Sequence, residues 1–220
     1  MTASTIRLFR PSDREAIRTI ACETADRGEP VDHFFHDREV FADLLVDYYL
    51  AYEPGAVWVA EHQAEIVGYL TGCLDTDRYH RLMTWQMIPR AVVKAVRRGA
   101  LWARPTWRLA LAGIRTSLIP TRALSLDQYP AHLHVNLRHV FRGQHLGQQL
   151  VERFLGQAQT AHHPGVHAAV RSDNPGSCRF FERMGFVELG RRLVIFPEGA
   201  TYQPHDTIIY GRRLYNGDSH

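Results

Sequence analysis

The sequence predicts an α/β (α+β) fold, with a central sheet flanked by helices and interrupted by a helical insertion. Three observations support this prediction. Segments with strand and helix patterns alternate along the chain. The apolar runs "AVWVA" and "IVGYLTGCL" are separated only by the polar "EHQAE", which indicates an antiparallel hairpin. Between residues 75 and 130 the pattern becomes helical and rich in Trp and Arg.

Length and composition are those of a globular chain. We expect residues 1–220 to form a single domain, with a helical insertion at about 75–130. Hydrophobic residues make up 45% of the chain and charged residues 22%. The net charge of +3 is too small to predict nucleic-acid binding.

The cysteines and the apolar segments indicate a reducing compartment. Cys22, Cys73 and Cys178 are widely separated and have no metal-ligand spacing, so we interpret them as free thiols and expect no metal. The chain has no apolar run of signal-peptide length near its start and none of the ~20 residues that a membrane span needs. These features predict a cytoplasmic protein with no membrane span.

The first half of the chain is predicted to contain two helices before the hairpin. A strand from Thr5 to Phe9 precedes a helix that carries Ile17 and Ile20 on one face. Apolar side chains at helical spacing from Val40 to Tyr52 predict a single second helix, which Pro54-Gly55 ends. The insertion has a helical pattern that we expect to break at Pro89 and at Pro105.

The strand "AHLHVNL" follows the insertion and alternates cleanly. Leu133, Val135 and Leu137 are predicted to point to one face, and His132, His134 and Asn136 to the other. After the next helix, "VHAAV" is predicted to be a buried strand. Asn174-Pro175 is typical of an N-cap and first helical residue, and Gly185 of a helix end. "FVELGRRLVIF" and "DTIIYGRRL" are the last predicted strands.

The loop "RGQHLG", residues 142–147, leads from that alternating strand into the next helix. A helix start exposes unpaired N–H groups and carries a partial positive charge. Glycines let a phosphate approach the backbone, and Arg142 adds a forked cation. The loop therefore suits a pyrophosphate, although a tight turn alone would have the same glycine pattern.

The loop, with "LHVNLRHVFRGQHLGQQLVERF" around it and "SDNPGSCRFFERMGF" further on, resembles the GNAT acetyltransferase superfamily. The hairpin and the first strand and helix resemble it more weakly. At the loop, Arg142 and Gly147 match the family pattern, whereas His145 replaces its middle glycine. Because a phosphate would bind the backbone N–H, which any residue but proline supplies, we expect the site to tolerate His145.

The resemblance implies a mostly antiparallel, twisted mixed sheet with a splayed parallel strand pair, and acetyl-CoA as the acetyl donor. The pyrophosphate is expected on the loop, the pantetheine arm along the strand ending at Leu137, and the acetyl group where that strand and "VHAAV" separate. Asn174 is expected near the pantetheine or the acceptor, or to act only as an N-cap. The expected cofactor-binding residues are Asn136, Leu137, Arg142, Gly143, Gln144, His145, Leu146, Gly147, Gln148, Asn174 and Phe181.

The catalytic residues depart from the family pattern. Family members often carry a general base as Glu on the strand before the loop, where this chain has His132 and His134. The position of His132 fits that Glu best, a bulge would favour His134, and a purely structural role for both remains open. The family's acid is often a Tyr where this chain has Phe181, so Tyr129, Tyr210 or water would have to replace it.

These observations predict an acetyl-CoA-dependent N-acetyltransferase acting on an amine of a small molecule or a protein. The alternative is an acetyl-CoA-binding pseudoenzyme that acts as a sensor or scaffold. A phosphate or nucleotide binder unrelated to acetyl transfer is a third interpretation. The insertion has four interpretations, namely a helical pair packed on the sheet, a lid over the acceptor, a homodimer surface and a membrane-surface helix pair.

Overall fold

The computed structural model describes residues 4–119, 127–198 and 201–215. Within these residues, seven strands form one sheet. They are β1 (Thr5–Leu8), β2 (Val57–His62), β3 (Glu65–Cys73), β4 (Ala131–Leu137), β5 (Gly165–Arg171), β6 (Val187–Glu198) and β7 (Thr201–Arg213). The helices are α1 (Arg14–Glu23), α2 (Arg38–Leu45), α3 (Asp47–Tyr52), α4 (Thr76–Leu82), α5 (Ile88–Arg97), α6 (Arg104–Ser117), α7 (Leu146–Thr160) and α8 (Pro175–Arg183).

The sheet has the strand order β1-β2-β3-β4-β5-β7-β6. Its neighbouring strands are antiparallel except for the central pair, β4 and β5, which is parallel. That pair is in register only at Ala131–Val166 and His132–His167, so the two strands separate beyond these positions. The expected fold class is confirmed, including the splayed parallel pair.

Two apolar layers cover the two faces of the sheet. One layer joins α1, α2, α3 and α5 to the face that carries His132, with Tyr48, Tyr49 and Tyr69 buried in it. The other layer joins α7 and α8 to the opposite face, where Leu133 and Phe154 are buried. The alternation of β4 is therefore confirmed, because its odd-numbered and even-numbered side chains lie in different layers.

The predicted helix from Val40 to Tyr52 is wrong as a single element. The chain forms α2 and α3, which meet at Val46, where φ is −123°. Val46 is β-branched, a poor helix former, and its side chain is fully buried. Spacing alone did not reveal this break, because the apolar residues on both sides face the same core.

The insertion is helical over its described residues, whereas 120–126 lie outside them. Pro105 lies in the first turn of α6, as expected of a helix boundary. The expected break at Pro89 is wrong, because the helical path runs from α4 through a π-helical turn, Met83–Met87, into α5. A wider turn accommodates the ring and missing N–H of Pro89 without ending the helix. Among the described residues, no helix has the length and apolar character that crossing a bilayer requires.

Candidate active site

The loop between β4 and α7 leaves a run of main-chain N–H groups without internal partners. Within the described part of the chain, none of the six N–H groups from residue 143 to residue 148 donates a hydrogen bond. The first helical bond of α7 runs from Gln149 N–H to the carbonyl of His145, at 3.0 Å. Such N–H groups at a helix start, together with the helix dipole, favour an anion such as phosphate.

The loop enters α7 through two residues with left-handed backbone. Gly143 has a φ of 78°, and His145, the N-cap of α7, has a φ of 60°. A non-glycine residue in this region costs about 1–2 kcal/mol, although His is among the residues that tolerate it. The structure therefore accommodates His145 by backbone strain, and the exposed imidazole lies 3.4 Å from the side-chain oxygen of Gln148.

Gly147 is the small residue that brings α7 close to β4. It is buried, and a Cβ placed on it would lie 3.3 Å from Leu137 Cδ1 and 3.5 Å from the ring of Phe180. Leu146 beside it is a core residue. The exposed Gln144 instead donates to the carbonyl of Val140 at 3.1 Å, which orders the turn.

The guanidinium of Arg142 packs against Gly28, where the missing Cβ leaves room for it. A Cβ on Gly28 would lie 2.4 Å from an Nη atom of Arg142, and the φ of Gly28 is 103°. The Nε of Arg142 donates to the carbonyl of Leu137 at 3.3 Å. The side chain is exposed and has no ion pair with a described residue, so its guanidinium stands beside the loop as an available cation.

The edge of β4 that faces β5 carries unpaired backbone groups beyond His132. Arg138 N–H donates to Val67 O, so the even-numbered residues of β4 bond to β3. The backbone groups of Leu133, Val135 and Leu137 consequently face the opening between β4 and β5. An extended ligand such as a pantetheine arm can bond to such an edge as an added strand does.

Asn136 is oriented away from that opening. Its backbone belongs to the set that faces β3, and its side-chain nitrogen donates to Thr24 Oγ1 at 2.6 Å, at the end of α1. Asn174 caps α8, where its Oδ1 accepts from Ser177 N–H at 3.1 Å. Both asparagines therefore have a hydrogen-bond partner within the fold. Only Asn174 lies beyond the end of β5, on the side where β4 and β5 separate.

His132 is buried and fully hydrogen-bonded. Thr76 donates its only hydroxyl hydrogen to Pro130 O, so Thr76 Oγ1 accepts from His132 Nδ1–H at 2.8 Å. His132 Nε2 therefore accepts from the Tyr49 hydroxyl at 2.9 Å. Burial, with the neighbouring His134 and His167, lowers the pKa of His132 well below its ordinary value. The ring is held neutral, and no lone pair is left for a substrate proton.

His134 lies two residues further along the same face. Its ring centroid is 5.8 Å from that of His132 and 5.9 Å from that of Tyr49. It is half-buried, and neither ring nitrogen has a hydrogen bond with a described residue. Burial, with a smaller effect from His167, lowers the pKa of His134 to about 4. This histidine is neutral at pH 7 and retains a free lone pair.

A third histidine, His167, joins this group from β5. It pairs with His132 across the parallel strands, and the two ring centroids are 5.4 Å apart. Its Nδ1 donates to Tyr129 O at 2.9 Å, which leaves Nε2 as an acceptor. Burial lowers its pKa, although the bond to the carbonyl opposes this effect. Among the described residues, no group of three or more potential metal ligands has a metal-binding arrangement.

Sequence reasoning missed His167, Tyr49, Thr76 and Tyr79. His167 could have been recognised, because "VHAAV" also alternates and places it on the polar face. Tyr49 was interpreted only as part of a helical pattern, and Tyr79 lay in the insertion without an assigned role. In the structure their rings stack with centroids 5.6 Å apart, and Tyr79 lies 4.8 Å from the ring of His132. Helix α4, the start of the insertion, therefore packs beside the histidines.

Phe181, where the family often has its acid, and Tyr210 lie on the opposite face, whereas the ring of Tyr129 lies on the face of His167. Phe181 is buried in the α7–α8 layer and stacks on Tyr210, with ring centroids 6.2 Å apart. The hydroxyl of the buried Tyr210 donates to Glu182 at 2.9 Å, and burial raises its pKa. Tyr129 packs its ring against Gly165 and Gly211 and offers its carbonyl to His167. None of these three side chains contacts the three histidines by a hydrogen bond among the described residues.

Comparisons with known proteins match this chain to one family model and to several solved structures. Residues 121–186 match the model of the acetyltransferase (GNAT) family. The crystal structure of a protein named SsHAT superposes with a TM-score of 0.72 at 26% identity, covering 97% of this chain and all of that one.

Two further structures share the fold at lower identity. One is yncA, a putative acetyltransferase from Salmonella typhimurium solved with its cofactor acetyl-CoA, which has a TM-score of 0.59, 16% identity and coverage of 99% and 97% of the two chains. The other is the ribosomal-protein-alanine N-acetyltransferase from Brucella melitensis, with a TM-score of 0.57, 15% identity and coverage of 95% and 99%.

Proposed function

We propose that this chain is an acetyltransferase of the GNAT family, which it resembles, and that it transfers the acetyl group of acetyl-CoA to an amine of a small molecule or a protein. The family model matched at residues 121–186 and the similar structures confirm the resemblance predicted from the loop and α8, and they support an acyltransferase activity. The donor, the acceptor class and the residue roles given below are our proposal.

The run of free N–H groups at the start of α7, next to the opening between β4 and β5, is the observation on which this function rests. In the proposed complex, the amides from Gly143 to Gln148 and the guanidinium of Arg142 bind the pyrophosphate. The outward-facing backbone groups of Leu133, Val135 and Leu137 bind the pantetheine arm. Gly147 contributes by its small size, and Phe181 contributes indirectly by packing α8 on the sheet.

His134 is the general base in this proposal. An amine acceptor must lose a proton as its nitrogen forms the new bond to the acetyl carbon and the carbon–sulfur bond breaks. His134 has a free lone pair, is neutral at pH 7 and lies on β4 where the two strands separate. The thiolate of CoA takes a proton from water, because the hydroxyl of Tyr210 is bonded to Glu182. His134 returns to that water the proton it took from the amine, so that the free base and the water are both restored.

His132 and His167 have supporting roles in this arrangement. His132 holds α4 and Tyr49 in place through its two hydrogen bonds. His167, with Nε2 as an acceptor, is positioned to bind the amine or a water next to it. We also propose that residues 1–220 form one domain, since the strands before the insertion and the strands after it join in one sheet through the pairing of β3 with β4.

Release of free thiol from acetyl-CoA, measured across a panel of amines, tests this function. We expect turnover with at least one amine, and loss of turnover in His134→Ala with CoA binding retained. CoA should also raise the melting temperature, because a ligand that binds only the folded state stabilises it. Binding without turnover on any amine would favour the sensor or scaffold, and no rise in melting temperature with CoA would contradict both functions.

A further inference from the structure

The insertion concentrates the positive charge of the chain. Residues 78–126, which we call the basic segment, contain ten Lys and Arg residues and no Asp or Glu. The remaining residues carry 16 basic and 23 acidic side chains, so the rest of the chain is acidic. Such an asymmetry is typical of a surface that binds an anionic partner.

Helix α5, within the basic segment, has three distinct arcs at 100° per residue. Ala91 and Ala95 form a narrow buried arc against the rest of the molecule. The apolar arc next to it is made by Ile88, Val92, Val93 and Val96, which are 46% to 51% exposed. The remaining arc is basic and contains Arg90, Lys94, Arg97 and Arg98. A solvent-facing apolar arc flanked by cations is the pattern of a helix that lies in a membrane interface.

Two tryptophans stand at the two ends of this helix. Trp85 precedes α5 by three residues and is 79% exposed, and Trp102 follows it by five residues and is 80% exposed. Tryptophan favours the boundary between lipid headgroups and acyl chains, because its ring is apolar and its N–H is polar. The aliphatic arc and the two tryptophans together expose more apolar surface than a single scattered apolar residue would.

The basic arc contains cations that the fold leaves available. Lys94 bonds to Asp43 at 2.7 Å and Arg98 to Asp37 at 2.6 Å, so these two hold α5 on α2. Arg90 and Arg97 have no ion pair with a described residue. With Pro89 and Val93 they line an open surface depression of about 550 Å³. Lys94 and Arg98 complete the lining of this depression.

We propose that α5, with Trp85 and Trp102, docks the protein on the surface of an anionic lipid bilayer. The apolar arc enters the boundary between headgroups and acyl chains, and Arg90 and Arg97 contact lipid phosphates. A second copy of the chain fits this surface less well, because a two-fold contact would bring together Arg90 and Arg97 of both copies, which have no ion pair with a described residue. A nucleic acid would satisfy the arginines but would leave the aliphatic arc in water.

Sedimentation of the full-length protein with vesicles tests the proposal. Vesicles of equimolar phosphatidylglycerol and phosphatidylcholine are compared with vesicles of phosphatidylcholine alone. We expect binding to the anionic vesicles only, with a blue shift of tryptophan fluorescence and weakening at high salt, since salt screens surface charge.

Two double variants separate the two parts of the surface. Val92→Asp with Val96→Asp removes the apolar arc, and Arg90→Glu with Arg97→Glu reverses the free cations. Each is expected to weaken binding to anionic vesicles by at least about tenfold. The matched controls are Val187→Asp and Arg153→Glu, exposed residues outside the basic segment, and they should bind like the wild type. All of these residues are on the surface, and an unchanged melting temperature verifies folding.

Four results would overturn the proposal. Equal binding to neutral and anionic vesicles, or no binding to either, excludes an anionic bilayer as the partner. A dimer of the wild type that dissociates in Val92→Asp/Val96→Asp shows that a second copy covers this face. If the aspartate pair does not fold, the arginine pair decides, because its side chains are exposed and have no ion pair with a described residue. Unchanged vesicle binding by the arginine pair contradicts the proposal.

Discussion

The hydroxyl of Tyr49 lies 2.9 Å from Nε2 of His132, and this hydrogen bond determines what that histidine can do. Thr76 Oγ1 accepts a hydrogen bond from Nδ1–H of His132, so the lone pair on Nε2 is committed to the Tyr49 hydroxyl. A base that must accept a proton from the acceptor needs that lone pair. The bond therefore favours His134 over His132 as the general base, in contrast to the position that fits the family pattern best.

Replacing Tyr49 with Phe should lower stability and leave chemistry intact. The variant leaves a buried ring nitrogen without a donor, which costs about 1–3 kcal/mol in the free energy of unfolding. Urea denaturation measures this loss, and turnover with an accepted amine should stay near the wild-type value. Tyr52→Phe is the matched control, because its hydroxyl bonds to Gln86 in a half-buried setting and should cost less. A stable but inactive Tyr49→Phe would instead assign proton transfer to the Tyr49–His132 pair.

His134 should make stability depend on pH between its folded pKa of about 4 and its ordinary value of 6.5. In that interval the unfolded chain binds more protons at this site than the folded chain does. The free energy of unfolding therefore falls as pH falls through the interval, by up to about 3 kcal/mol. We expect His134→Gln to lose less stability than the wild type between about pH 7 and pH 4.5. Equal losses in the two proteins would show that His134 titrates normally.

Elements with a strong apolar period were predictable, because that period reflects which side chains face the two core layers. The strand Ala131–Leu137 has the predicted bounds, and Asn174 and Gly185 stand at the two ends of α8 as expected. The division at Val46 and the π-helical turn before Pro89 were not predictable, because they depend on tertiary packing, which the local sequence pattern does not encode.

The candidate site was partly predictable for a similar reason. The loop is local, so its glycines and Arg142 could be located from their spacing. The polar partners of His132, and the approach of His167, depend on contacts between residues up to 83 positions apart. Sequence alone placed His132 and His134 on one face, but only these distant contacts distinguish a fully bonded ring from one with a free lone pair.

Gly28 should influence CoA binding only through Arg142. A methyl group on Gly28 would collide with the guanidinium, so Gly28→Ala is expected to displace it and to weaken CoA binding by about tenfold or less. Arg142→Ala should weaken binding similarly, and adding Gly28→Ala to it should have no further effect on affinity. Calorimetric titration with CoA gives all four affinities. Additive losses would mean that Gly28 acts by strain in its own backbone, where φ is 103°, and not through Arg142.

His145 should contribute its N–H to CoA binding and not its imidazole. Its φ of 60° costs a non-glycine residue about 1–2 kcal/mol, whereas glycine is more flexible in the unfolded chain by about 0.5–1 kcal/mol. His145→Gly should therefore be as stable as the wild type or slightly more stable, with CoA affinity unchanged within a factor of about two, because the backbone donor remains. His145→Asn, which also tolerates this backbone region, is the control for loss of the ring alone. A loss of CoA affinity in both variants would show that the imidazole itself binds phosphate. A loss confined to His145→Gly would show that the pyrophosphate requires a rigid loop.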